Sequence, residues 1–185
     1  MYPVNFPYIE REAVKLQETL TVKYEPNGYE YSSLKAFFEK NGWQFEYDVD
    51  LKDTQNTMKD TFTEMLLRYT LKYNLIKNDN KKILQFDIGE PCNENSTTYR
   101  LFLLVVFYEY WGELKQINKY RDFSNLYDYA AFSRAMLIPD SNFYKHAMTH
   151  PEFPNKIDVG NLATIYKIPR IMILERIEDY GYDYR

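Results

Sequence analysis

Two hydrophobic periods run through this chain, and the switch between them divides it into elements. Ile9, Ala13, Leu16 and Leu20 recur at helical spacing, so about Tyr8 to Tyr24 is expected to be an amphipathic helix, with Glu10, Arg11, Glu12, Lys15 and Glu18 largely outside. Pro26 and Gly28 would stop it. Ser32 or Ser33 is placed to cap a second helix with Leu34, Phe37 and Phe38 inward, and Asn41-Gly42 supplies a left-handed end. The period then drops to two. Trp43, Phe45, Tyr47, Val49 and Leu51 alternate with Gln44, Glu46, Asp48 and Asp50, which predicts a half-buried strand with an acidic outer face. Residues 52–60 are polar and read as a loop. Leu67, Tyr69, Leu71, Tyr73 and Leu75 alternate in their turn, Lys77-Asn78-Asp79-Asn80 makes a turn, and Leu84, Phe86 and Ile88 face inward from the returning strand.

After Gly89 and Pro91 the pattern changes again. Tyr99 to Leu114 is apolar almost all the way round, and a helix without a polar stripe belongs inside. Ser96, Thr97 or Thr98 offers its cap. From about Phe123 onward the chain reads as helical, punctuated by Pro139, Pro151, Pro154 and Pro169. The expected fold class is α+β: a small three-stranded, mainly antiparallel sheet packed on a buried central helix, with a helical C-terminal part. Residues 1–122 would form the α+β core and 123–185 a helical subdomain packed on it.

Composition narrows the function classes. At 185 residues a single core suffices without staples. Cys92 is the lone cysteine, so neither an internal disulfide nor a cysteine zinc cluster is available, which suits a reducing compartment. The opening MYPVNFPYIEREAV has no basic then apolar leader pattern, and no run reaches the roughly 18 apolar residues of a membrane span. A cytoplasmic protein is expected. The net charge of −4 repels phosphate backbones and argues against direct nucleic-acid binding. Nineteen Tyr and 12 Phe exceed ordinary usage; such residues fill cores, and they also anchor contact surfaces at low entropic cost.

The order strand, turn, strand, buried helix, then Tyr129-Ala130-Ala131-Phe132-Ser133-Arg134-Ala135-Met136-Leu137-Ile138-Pro139, resembles the ImmA/IrrE family of zinc peptidases. In that family the buried helix carries an Arg, four residues, then HExxH, and the following helix carries an AN-x-FAAxLLMP motif. Residues 158–182 are similar to its closing pair of short helices. Here Arg100 is followed at the five motif positions by Val105, Val106, Phe107, Tyr108 and Glu109. HExxH holds zinc with two imidazoles one turn apart while the Glu takes a proton from bound water. Val105 and Val106 offer neither ligand nor base, and Glu109, at the second histidine's position, is read as an edge carboxylate or one paired with Arg100 or Arg134. The resemblance therefore implies a peptidase-like scaffold, residues 1–122 at its centre, with no metal, no cofactor and no catalysis.

Other chemistry is sparse. His146 and His150 lie four apart in FYKHAMTHP, with Asp140 or Glu152 as further ligands to consider, but no Glu stands between them and Pro151 closes the helix. Cys92 has no basic sequence neighbour to activate it. Residues 158–180 could form a helix-turn-helix, yet Lys167, Arg170 and Arg176 are countered by Asp158, Glu175, Glu178 and Asp179. The favoured expectation is a non-enzymatic inhibitor or regulator from a phage or mobile element, binding a protein with a basic surface. Acidic, tyrosine-rich inhibitors of host defence nucleases, anti-CRISPR proteins acting on a CRISPR effector nuclease among them, are what it resembles. Partner contact is assigned to Glu46, Asp48 and Asp50 and to Glu175, Glu178, Asp179, Tyr180, Tyr182 and Asp183. A homodimer is left open, and the alternatives are a metallopeptidase with relocated ligands or a helix-turn-helix regulator.

Overall fold

The computed structural model describes residues 6–20, 29–51, 71–78, 81–93, 96–117, 126–147 and 157–180. Its order is α1 (Phe6–Thr19), α2 (Tyr31–Lys40), β1 (Trp43–Glu46), β2 (Tyr73–Asn78), β3 (Lys81–Phe86), α3 (Thr97–Ile117), α4 (Leu126–Leu137), α5 (Asp140–Ala147), α6 (Val159–Tyr166) and α7 (Arg170–Asp179). The fold is α+β, with a three-stranded sheet and a helical C-terminal part, as the periodicities imply.

On α1 the four expected positions, Ile9, Ala13, Leu16 and Leu20, are all buried. The helix begins two residues earlier than its pattern; the expected end at Tyr24 and the Pro26-Gly28 stop lie outside the described residues. At α2 the capping expectation fails. Glu30 occupies the cap position in extended conformation, and Ser33 Oγ donates to Glu30 Oε2 at 2.7 Å instead of accepting from the backbone. The helix starts at Tyr31 because that ring is itself a core residue, which draws both serines into the first turn. Gly42 has φ 83°, the left-handed stop expected of it.

The sheet order is β1-β3-β2. β2 and β3 pair antiparallel, Leu75 opposite Leu84, while β1 and β3 pair parallel, Phe45 opposite Leu84. The sheet is thus mixed, with one ladder of each kind. β1 is also shorter than its pattern, because Asp48 takes a left-handed conformation (φ 55°) that interrupts the ladder. The chain nonetheless stays tied to β3 and its extension: Asp48 N–H donates to Ile88 O at 2.9 Å and Val49 N–H to Phe86 O at 3.0 Å. Alternation of burial consequently continues to Leu51. The expected loop at 52–60 and the positions Leu67 and Tyr69 lie outside the described residues.

Ser96 is the cap of α3, its Oγ accepting from Tyr99 N–H at 3.0 Å. Every residue from Tyr99 to Tyr108 is buried. Sequestering such Leu, Val and Phe side chains contributes about 1.5–3 kcal/mol each, so this helix is the largest single source of core stabilisation. Its two ends of contact are aromatic. Phe102 meets Phe45 and Phe86 from the sheet at 5.6 and 5.1 Å between ring centres, and Trp111 stacks on Phe132 of α4 at 4.5 Å. Gly112 allows α4 to come close: a Cβ there would stand 2.9 Å from Tyr129 Cε1. Buried side chains of the sheet, α1, α3 and the later helices form one continuous cluster.

Candidate functional site

The stretch of α3 from Val105 to Phe107 is hydrocarbon. Val105 and Val106 have no exposed surface and belong to the core cluster. Glu109, two residues further along, sits half-buried where α3 meets β2. Tyr73 Oη donates to its Oε1 at 3.0 Å. Burial pushes the carboxyl above its usual range, opposed by that hydrogen bond and by the charge of Lys77. Pairing with Arg134 is excluded, since Arg134 is engaged by acidic residues of α7.

The strand face is different. Glu46, Asp48 and Asp50 are all exposed, because the inward places between them go to Phe45, Tyr47, Val49 and Leu51. Glu46 Oε2 accepts from Gln85 Nε2 across the β1-β3 pair at 2.8 Å. Beside it a fourth carboxylate enters from the segment after β3. Glu90 Oε1 accepts from Tyr31 Oη at 2.6 Å and from Lys35 Nζ at 2.7 Å, and Tyr31 Oη is joined in turn to Tyr47 Oη at 2.6 Å. The bonds from Lys35 and Tyr31 hold the Glu90 carboxyl below the usual range, while burial keeps both phenols protonated as donors. Gly89 brings this segment alongside: a Cβ on it would lie 3.5 Å from Asp48 Oδ1. Sequence reasoning missed Glu90, which belongs to no periodic run; its only signal is an acidic residue between the breakers Gly89 and Pro91.

The C-terminal patch does not assemble as expected. Asp179 is 9% exposed, with Oδ1 and Oδ2 receiving Arg134 Nη2 and Nε at 2.7 and 2.8 Å. Arg134 Nη1 reaches Glu175 Oε2 at 2.9 Å. Arg176, itself buried, pairs with Glu10 of α1 and donates to Ile138 O at 3.0 Å, and its guanidinium lies 4.4 Å from the centre of the Tyr180 ring. Tyr180 also stacks on Phe143 at 5.1 Å. Asp179 and Glu175 thus fasten α7 to α4, Arg176 fastens it to α1 and Tyr180 packs its end on α5, because two arginines on inward positions demand carboxylates beside them. Of the assigned residues Glu178 alone is exposed here, and Tyr182 and Asp183 lie outside the described residues.

His146 packs edge-on against Tyr166 at 5.8 Å. His150 and Glu152 lie outside the described residues, and among those described no three His, Cys, Asp or Glu side chains converge in a way that could hold a metal ion. Cys92 is exposed. Asp158 caps α6, its Oδ1 accepting from Asn161 N–H at 2.9 Å, and Lys167 ends it in left-handed conformation. Pro169 stands at the cap of α7 rather than at its first helical position. Among the described residues no helix is long and apolar enough to cross a membrane. No family model, curated protein or solved structure matches the chain.

Proposed function

We propose that this chain is a non-enzymatic, protein-binding inhibitor or regulator of the kind phages and mobile elements encode, and that it blocks a basic, nucleic-acid-handling surface on a host defence nuclease. The observation that carries the reading is the exposed row Glu46, Asp48 and Asp50, extended by Glu90. Glu46 ends β1, and Asp48 and Asp50 follow on its extension, so three carboxylates face solvent from one short segment. A basic groove would meet them through long-range attraction and fast encounter. The aliphatic filling at Val105 and Val106 supports the non-enzymatic half, since a scaffold of the ImmA/IrrE kind with these residues has neither ligand nor base.

The test is capture from host lysate at low and at high salt, with wild type beside an E46Q/D48N/D50N variant. Wild type is expected to retain a basic, nucleic-acid-processing protein at low salt, less of it at high salt, and the variant to lose it. No such protein under either condition, or equal retention by the variant, would overturn the proposal.

A further inference from the structure

The outer face of α7 takes part in none of the contacts above. Ile171 is 46% exposed and Leu174 36%, and with Val14 they are the exposed large hydrophobic residues among those described. Arg170 and Glu178, both exposed, lie four residues to either side of Leu174, and neither forms an ion pair among the described residues. At about 100° per residue, positions 170, 171, 174 and 178 fall within one arc of roughly 100°, opposite the inward arc of Met172, Ile173, Arg176, Ile177 and Asp179. The face therefore reads positive, apolar, apolar, negative along the helix.

We infer that this face binds a second copy of the chain. A two-fold axis through Leu174 runs the two helices antiparallel, and each Arg170 then stands opposite the Glu178 of the other copy, because both lie the same distance from the axis. Ile171 and Leu174 of both copies fill the space between. The pattern is self-complementary, which an isologous contact requires and a generic partner does not. A ten-residue helix laid on its twin covers less than the roughly 1,200 Å² of stable interfaces, so the dimer is weak and forms at high concentration. The inference does not rest on the inhibitor reading, which uses the strand face.

Sedimentation of the full chain at rising concentration tests it. Wild type is expected to self-associate reversibly and Leu174→Glu to remain monomeric. Arg170→Glu and Glu178→Arg each place like charges opposite one another and should weaken association about tenfold. Mixing these two variants in equal amounts recreates both oppositely charged pairs, so the mixture should associate as tightly as wild type. All three substitutions are at exposed positions, and circular dichroism confirms that each variant is folded. Monomer at every concentration, association untouched by Leu174→Glu, or a mixture no tighter than its components would each overturn the inference.

Discussion

Along β1 and its extension Glu46, Asp48 and Asp50 stand in water, whereas on α7 Glu175 and Asp179 close on Arg134, with Asp179 almost fully sequestered. In the sequence the two stretches look alike: acidic residues beside tyrosines. They differ in what the neighbouring elements bring. Against β1 lies β3, where Gln85 stands opposite Glu46 and donates to it, and the carboxylates of this segment stay at the surface. Against α7 lie α1 and α4, and Arg134 on α4 and Arg176 on α7 itself are both buried. A buried guanidinium needs carboxylate partners, and it takes the nearest ones out of solvent.

The comparison breaks first at Arg134. Arg134→Met strands the Asp179 carboxylate in a buried site and is expected to lower stability by about 3–5 kcal/mol, read by urea unfolding. Pairing it with Asp179→Leu should recover most of that loss, since the sequestered carboxylate is then gone and only the more exposed Glu175 has lost its arginine. On the strand side Tyr31→Phe breaks the link between Tyr47 and Glu90 and should cost about 1 kcal/mol in the same assay.

Glu109 lies between the two regions, half-buried with a tyrosine rather than an arginine as its bonded partner. Its folded pKa is raised by burial, so the fold tolerates its neutral form better than the unfolded chain does. The stability it contributes is complete below the unfolded glutamate value of about 4.3 and is lost as pH rises through the folded value. Glu109→Gln should abolish that decline, and unfolding midpoints of the two proteins followed upward from acid pH should diverge in favour of the glutamine. The smallest effect belongs to the exposed row: E46Q/D48N/D50N should change stability by no more than about 0.5 kcal/mol, while removing the captured partner. A large loss of stability in that variant would erase the contrast between the regions.

Periodicity made much of this fold legible. The inward positions of α1, the alternation from Trp43 to Leu51, the cap at Ser96 and the sequestered α3 were all readable, because each depends on residues within one or two turns of one another. The capping of α2 was misread because Tyr31 is claimed by the core, a long-range demand that overrides a local preference for serine. The true extent of β1 was hidden for a related reason: the ladder ends at the backbone conformation of Asp48, which the in-and-out pattern does not register. At the site, Glu46, Asp48 and Asp50 could be placed outside from the sequence, but Glu90 could not.

By itself, then, the sequence determined the class of fold, the identity of the central helix and the acidic outer edge of its strand, since these follow from local spacing and from the cost of exposing hydrocarbon. Only the tertiary structure decided which carboxylates are drawn out of solvent. That choice depends on where Lys35, Arg134 and Arg176 come to rest, and those partners are separated by tens of residues from most of the carboxylates they hold. Parallel pairing of β1 with β3 was decided at the same level, because a strand's own alternation is the same in either direction.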